Sequence, residues 1–158
     1  MHRNAPFWTF IVVLILLHLT VRLGLGFSAL PDLLVVAALL GARRLDGPAA
    51  ALFGLLLGVL ADALAVVAFG ATAVAFVVAC WVGSRSRNIF EGESYLFLVV
   101  YAFLGAWLID AIRFFVGGAA GRGEDPMMLL RQAPLTAVFT AVAAVVAVVT
   151  YRAISGRR

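Results

Sequence analysis

Pro48-Ala-Ala-Ala-Leu-Phe-Gly54-Leu-Leu-Leu-Gly58-Val-Leu-Ala-Asp62-Ala-Leu-Ala-Val-Val-Ala-Phe-Gly70 is the stretch whose reading decides the fold. It continues to Gly83 as an apolar run broken by Asp62 and Gly70. As one helix, at a rise of 1.5 Å per residue, the run would be about 54 Å long. The hydrocarbon core of a bilayer is about 30 Å thick, so one crossing does not fit. Two helices do, over residues 48–64 and 71–83, meeting near Gly70. Within the first, Ala50, Gly54, Gly58 and Asp62 recur every fourth residue, which puts three small side chains and a carboxylate on one face. Small residues at this spacing let helix backbones approach closely in a bilayer. The pattern reads as intramolecular packing with Asp62 at a water interface; a substrate or ion site is the competing reading.

The rest of the chain has the same character. Its 158 residues are 65% hydrophobic and only 13% charged, against about 25% charged in soluble domains. A mean hydropathy of +1.11 over the whole length makes lipid the solvent for most of the chain. That excludes a water-soluble domain and predicts an all-α polytopic membrane protein. The net charge of +4 is carried by arginines alone, placed singly or in pairs at the edges of apolar runs. A nucleic-acid site needs a clustered basic face, whereas arginine at span ends is a topological signal, so no nucleic-acid partner is expected. Cys80 is the only cysteine and sits beside Trp81 in an apolar run, which excludes a disulfide framework and a zinc cluster.

Outward from the central stretch, four more spans are predicted, giving six in a single integral domain: 6–25, 31–42, 48–64, 71–83, 95–117 and 133–151. The first resembles a secretory signal without a small-x-small cleavage site and is read as a retained span. Residues 31–42 are short for a crossing, and fit either a shielded short span or a re-entrant segment. Met127 to Arg131 reads as a single interfacial turn ahead of the last span. With the N-terminus inside, Arg3, Arg43, Arg44, Arg85, Arg87, Arg152, Arg157 and Arg158 fall inside, and Arg22, Arg113, Arg122 and Arg131 outside. This excess places both termini in the cytoplasm. A fusion reporter at Gly121 is then expected to report from outside.

Ionisable residues at depth are the informative ones, because a charge at the centre of a span costs roughly 2.5 to 3.5 kcal/mol. Asp32 follows Pro31 at the start of the second helix, where proline suits the first turn and a carboxylate meets the positive end of the helix dipole. Asp110 and Arg113, three residues apart on the fifth helix, can neutralise each other as an intramembrane ion pair. His18, four residues before Arg22, is expected to hydrogen-bond a neighbouring helix rather than sense pH. No phosphate loop, His-Glu-x-x-His or Gly-x-Ser-x-Gly is present. Asp62 and Asp110 have no intramembrane-protease motif beside them. The expectation is no catalysis, no cofactor and no metal.

The order of features resembles the bacterial rod-shape-determining MreD family. The resemblance rests on Pro31-Asp32-Leu-Leu opening a short helix, the Arg-Arg/Gly-Pro turn from Arg43 to Pro48, Gly54-x-x-x-Gly58-x-x-x-Asp62, and the Gly70 turn. It implies a six-span inner-membrane protein similar in fold to the S-components of energy-coupling-factor vitamin transporters. It implies a non-enzymatic scaffold of the cell-wall elongation machinery that helps maintain rod shape. Its partners would be the bitopic protein MreC and, around it, the MreB filament, the glycosyltransferase RodA and a penicillin-binding transpeptidase. Pro31 and Asp32 match the family's Pro-Asp/Asn helix start, and Gly54, Gly58 and Asp62 its glycine-rich helix, as a packing or partner interface. Either the exposed part of the Gly54/Gly58 face or the face of the first two helices is expected to pack against the MreC-like span. The alternative is a small-molecule-binding component of a vitamin uptake transporter, which needs a cavity with several convergent polar groups. Bulky residues from Phe7 to His18 stand where such a transporter's Ala-x-x-x-Ala docking stripe would lie.

Overall fold

A computed structural model describes residues 5–25, 32–64, 70–86, 95–117 and 126–156; at 22–25, 126 and 128–132 it describes the backbone alone. The elements are α1 (Ala5–Leu25), α2 (Leu33–Ala42), α3 (Gly47–Leu64), α4 (Ala71–Ser86), α5 (Tyr95–Val116) and α6 (Pro126–Ser155), with no strand among the described residues. Pro6, Pro48 and Pro126 each fall in a first turn, where the missing N–H would have had no helical partner. Three segments, Gly47–Leu64, Tyr95–Val116 and Ala133–Ser155, are long and apolar enough to cross a membrane.

Contacts at the helix ends show the direction of each element. Phe7, at the start of α1, lies edge-on to Tyr151 at the end of α6, with ring centroids 5.7 Å apart. Arg152 of α6 donates to the hydroxyl of Tyr95, the first residue of α5 (3.1 Å). The helices therefore alternate. α1, α3 and α5 begin at what we term the near end; α2, α4 and α6 begin at the far end.

The short α2 is the centre of the molecule. Every residue from Leu34 to Ala42 is buried, and the helix packs against all five others. Its Leu34, Val35, Ala38 and Leu39 join Leu57 of α3, Phe76 of α4 and Ile109 of α5 in one core. Val36, Ala37 and Leu40 join Phe7, Ile11 and Leu14 of α1 and the alanines of α6 in another. α2 has ten residues and is about 15 Å long, and a helix wrapped by protein need not match the lipid thickness. Leu33–Ala42 is thus a short helix shielded on all sides by its neighbours.

Two boundaries differ from the sequence reading for identifiable reasons. α6 starts at Pro126 and runs without interruption through Pro134, so Met127 to Arg131 belong to its first turns and are not a separate interfacial turn. Pro134 removes one backbone hydrogen bond, to the carbonyl of residue 130, and a single loss near the start of a long helix does not end it. α4 continues past Gly83 to Ser86 because two hydroxyls serve its last turns: Ser84 donates to the Trp81 carbonyl and Ser86 to the Gly83 carbonyl, both at 2.8 Å.

Candidate functional site

The face bearing Ala50, Gly54, Gly58 and Asp62 is turned inward against α4. A Cβ at Gly54 would lie 2.5 Å from the Phe76 carbonyl oxygen, and one at Gly58 would lie 2.5 Å from the Ala73 Cα. Both glycines are needed for backbone-to-backbone contact within the chain, and neither offers a surface to a second protein.

Asp62 completes that contact. It is 1% exposed, its carboxylate covered by the start of α4. Its Oδ2 accepts from the N–H groups of Gly70 (2.9 Å) and Ala73 (3.0 Å), and Oδ1 accepts from Thr72 N–H (3.3 Å). A helix begins with four N–H groups that have no helical partner, and its N-terminus carries a partial positive charge. Asp62 answers both needs of α4 from the end of α3, so its carboxylate caps a helix of which it is not a part. Gly70 makes this geometry reachable: its φ of +98° is a backbone state that other residues adopt at a cost.

A second cluster lies across the far end. Asp32 is the N-cap of α2; its Oδ1 accepts from Leu34 N–H (3.1 Å) and Val35 N–H (3.3 Å). The same carboxylate lies 3.6 Å from His18 Nδ1 and 3.8 Å from Arg113 Nη2. Arg113 Nη1 reaches Asp110 Oδ1 at 3.5 Å, and the Thr136 hydroxyl donates to Asp110 Oδ2 at 3.1 Å. The guanidinium also lies 5.5 Å from the centre of the Phe76 ring. His18 of α1, Asp32 of α2, Asp110 and Arg113 of α5 and Thr136 of α6 thus form one chain of alternating charge and dipole.

The expected pair of Asp110 and Arg113 is present, and it is part of something larger. Asp32, His18 and Thr136 join it from three other helices; Pro31 and the Arg22 side chain lie outside the described residues. The cluster is set below the helix ends, since α1 continues about 10 Å beyond His18 and α6 begins about 15 Å before Thr136. In the sequence, Asp32, the Asp110–Arg113 pair and His18 read as separate features, and nothing marks Thr136. The signal available was that each stands near the far end of its own helix.

Among the described residues no group of His, Cys, Asp and Glu is placed to hold a metal ion. Cys80 is buried, with its thiol 3.7 Å from the Ala38 carbonyl. No protein-family model, curated protein or solved structure matches the chain.

Proposed function

We propose that the chain is a non-enzymatic, six-span scaffold of the cell-wall elongation machinery in the bacterial inner membrane. In this reading both termini are cytoplasmic and an MreC-like bitopic protein is the direct partner, with MreB, RodA and a penicillin-binding transpeptidase beyond it. One observation carries the reading: buried and half-buried ionisable residues are committed to holding helices together. Asp62 binds α4 to α3, and the Asp32–Arg113–Asp110 network binds α2, α5 and α6. What the molecule presents outward is apolar helix surface, the kind that packs against another transmembrane helix. With the glycine face occupied and α2 enclosed, we take α1 as the partner surface; its Val12, Val13, Leu16 and Leu17 are exposed.

The test is a mild-detergent pull-down of the tagged protein with identification of what accompanies it. Cell-wall elongation proteins are expected. Replacing Val13 and Leu17 together by Trp is expected to reduce recovery of the bitopic partner while leaving the amount of the tagged protein unchanged. Full recovery of the partner with this variant would remove α1 as the interface.

The vitamin-uptake reading gains one specific observation. His18, Asp32, Asp110, Arg113 and Thr136 converge from four helices, as the polar groups of a ligand site must. Recovery of ATPase and coupling subunits in the same pull-down, with a small molecule released on denaturation, would favour it over the scaffold.

A further inference from the structure

At the near end, three arginines surround the turn between α2 and α3, and their guanidinium groups rest on aromatic rings. Arg43 lies 5.1 Å from the Phe97 ring centre and 5.5 Å from that of Tyr101. Arg44 lies 4.6 Å from the ring of Phe7, and Arg85 lies 5.0 Å from that of Trp81. The Trp81 ring covers Gly47, which closes the same turn: a Cβ there would be 3.4 Å from Trp81 Nε1. Tyr101 is itself fixed by donating its hydroxyl to the Leu39 carbonyl (2.9 Å).

No carboxylate among the described residues pairs with any of the three, although Asp46 follows in the turn. Arg43 Nε is buried and has no hydrogen-bond partner. A guanidinium held against a ring without a carboxylate partner retains N–H donors for another acceptor, and its planar fork matches two oxygens of a phosphate. The level is also right. Aromatic side chains gather at this end, as they do where a membrane protein meets the headgroup layer.

We propose that this arginine cluster binds the phosphodiester headgroup of an anionic phospholipid. The proposal rests on the membrane-spanning reading and adds a specific lipid class and site to it. Both the charge and the rings take part: basic residues draw the protein to an anionic leaflet, and the rings hold the forks in place.

The experiment separates the two layers. The protein is first floated with phosphatidylcholine vesicles; failure to float would overturn the membrane reading and the headgroup site with it. It is then placed in nanodiscs of phosphatidylcholine and phosphatidylglycerol, and the lipids retained after release are identified by native mass spectrometry. Preferential retention of phosphatidylglycerol is expected. Arg44→Gln, at an exposed position, should weaken it about fivefold, and the triple change Arg43→Gln, Arg44→Gln, Arg85→Gln on the order of a hundredfold. Normal flotation with no preference for the anionic lipid, or the same preference in Arg44→Gln and the triple variant, would overturn the headgroup site alone. Displacement of the lipid by millimolar inorganic phosphate would overturn the lipid assignment.

Discussion

The two ends of the helical body treat charge in opposite ways. At the far end, Asp32, Asp62 and Asp110 each find polar partners within the chain, and Arg113 is shared between two of them. At the near end, Arg43, Arg44 and Arg85 lie on aromatic rings and pair with no described carboxylate. Depth explains the difference. Asp32, Asp110 and Arg113 lie below the ends of α1 and α6, and Asp62 is enclosed between α3 and α4; at both places an unneutralised charge is costly and the protein supplies the partner. Of the near-end groups, Arg43 and Arg44 follow the last turn of α2 and Arg85 stands in the last turn of α4, where the surroundings can supply it. Arg113 is thus a tie between carboxylates of two elements, whereas Arg43, Arg44 and Arg85 keep no carboxylate partner among the described residues.

The contrast can be broken most severely at the far-end hairpin. Gly58→Leu would drive a side chain into the backbone of α4, and overpacking against main chain cannot be relieved by a rotamer change. A loss above about 3 kcal/mol is expected, seen as failure of the protein to accumulate or as collapse on mild heating in detergent. Asp62→Ala comes next. It leaves the N–H groups of Gly70, Thr72 and Ala73 without their acceptor, and a loss of about 2 to 3 kcal/mol is expected from thermal unfolding in detergent. An unchanged midpoint would mean that Asp62 does not cap α4.

Arg113→Gln tests the tie across the far end. It leaves Asp32 and Asp110 without their shared cation. Breaking a fully buried pair costs about 3 to 5 kcal/mol, and the partial exposure of these side chains lowers the expectation to about 2. Adding Asp110→Asn should recover part of that loss, because one of the two stranded charges is then gone. If the two changes add without recovery, the network is not the unit described here.

How much of this was legible follows from the range of the forces involved. The split of the long apolar run between Leu64 and Ala71 was legible, since length against membrane thickness and one glycine decide it. So was the role of Asp32 as a helix start, because capping acts within three residues. The partner of the glycine face was not. Gly54 and Gly58 announce close approach without saying to what, and the answer, α4, is set by the Gly70 turn and by Asp62 reaching across it. Likewise nothing local joins His18 to Asp32 or Asp110 to Thr136, contacts that exist because α2 is enclosed by its neighbours. The alanines of α6 at 133, 137, 141, 144 and 147 form a buried stripe that periodicity alone contained and the glycine pattern overshadowed.

The smallest expected effect is at the near end, and it sharpens the contrast best. Arg44→Gln removes a guanidinium that touches the Phe7 ring and has no carboxylate among its described contacts. An exposed cation–π contact is worth about 0.5 to 1 kcal/mol, part of which the glutamine side chain retains through packing. The midpoint of thermal unfolding in neutral detergent should therefore shift by less than the equivalent of about 0.5 kcal/mol. The same substitution type at Arg113 costs several times more, although both residues are arginines beside aromatic rings. What differs is that Arg113 leaves two carboxylates behind and Arg44 leaves none. A destabilisation at Arg44 as large as that at Arg113 would mean that Arg44 also ties helices together. The distinction between an internal charge network and an outward-facing cluster would then be lost.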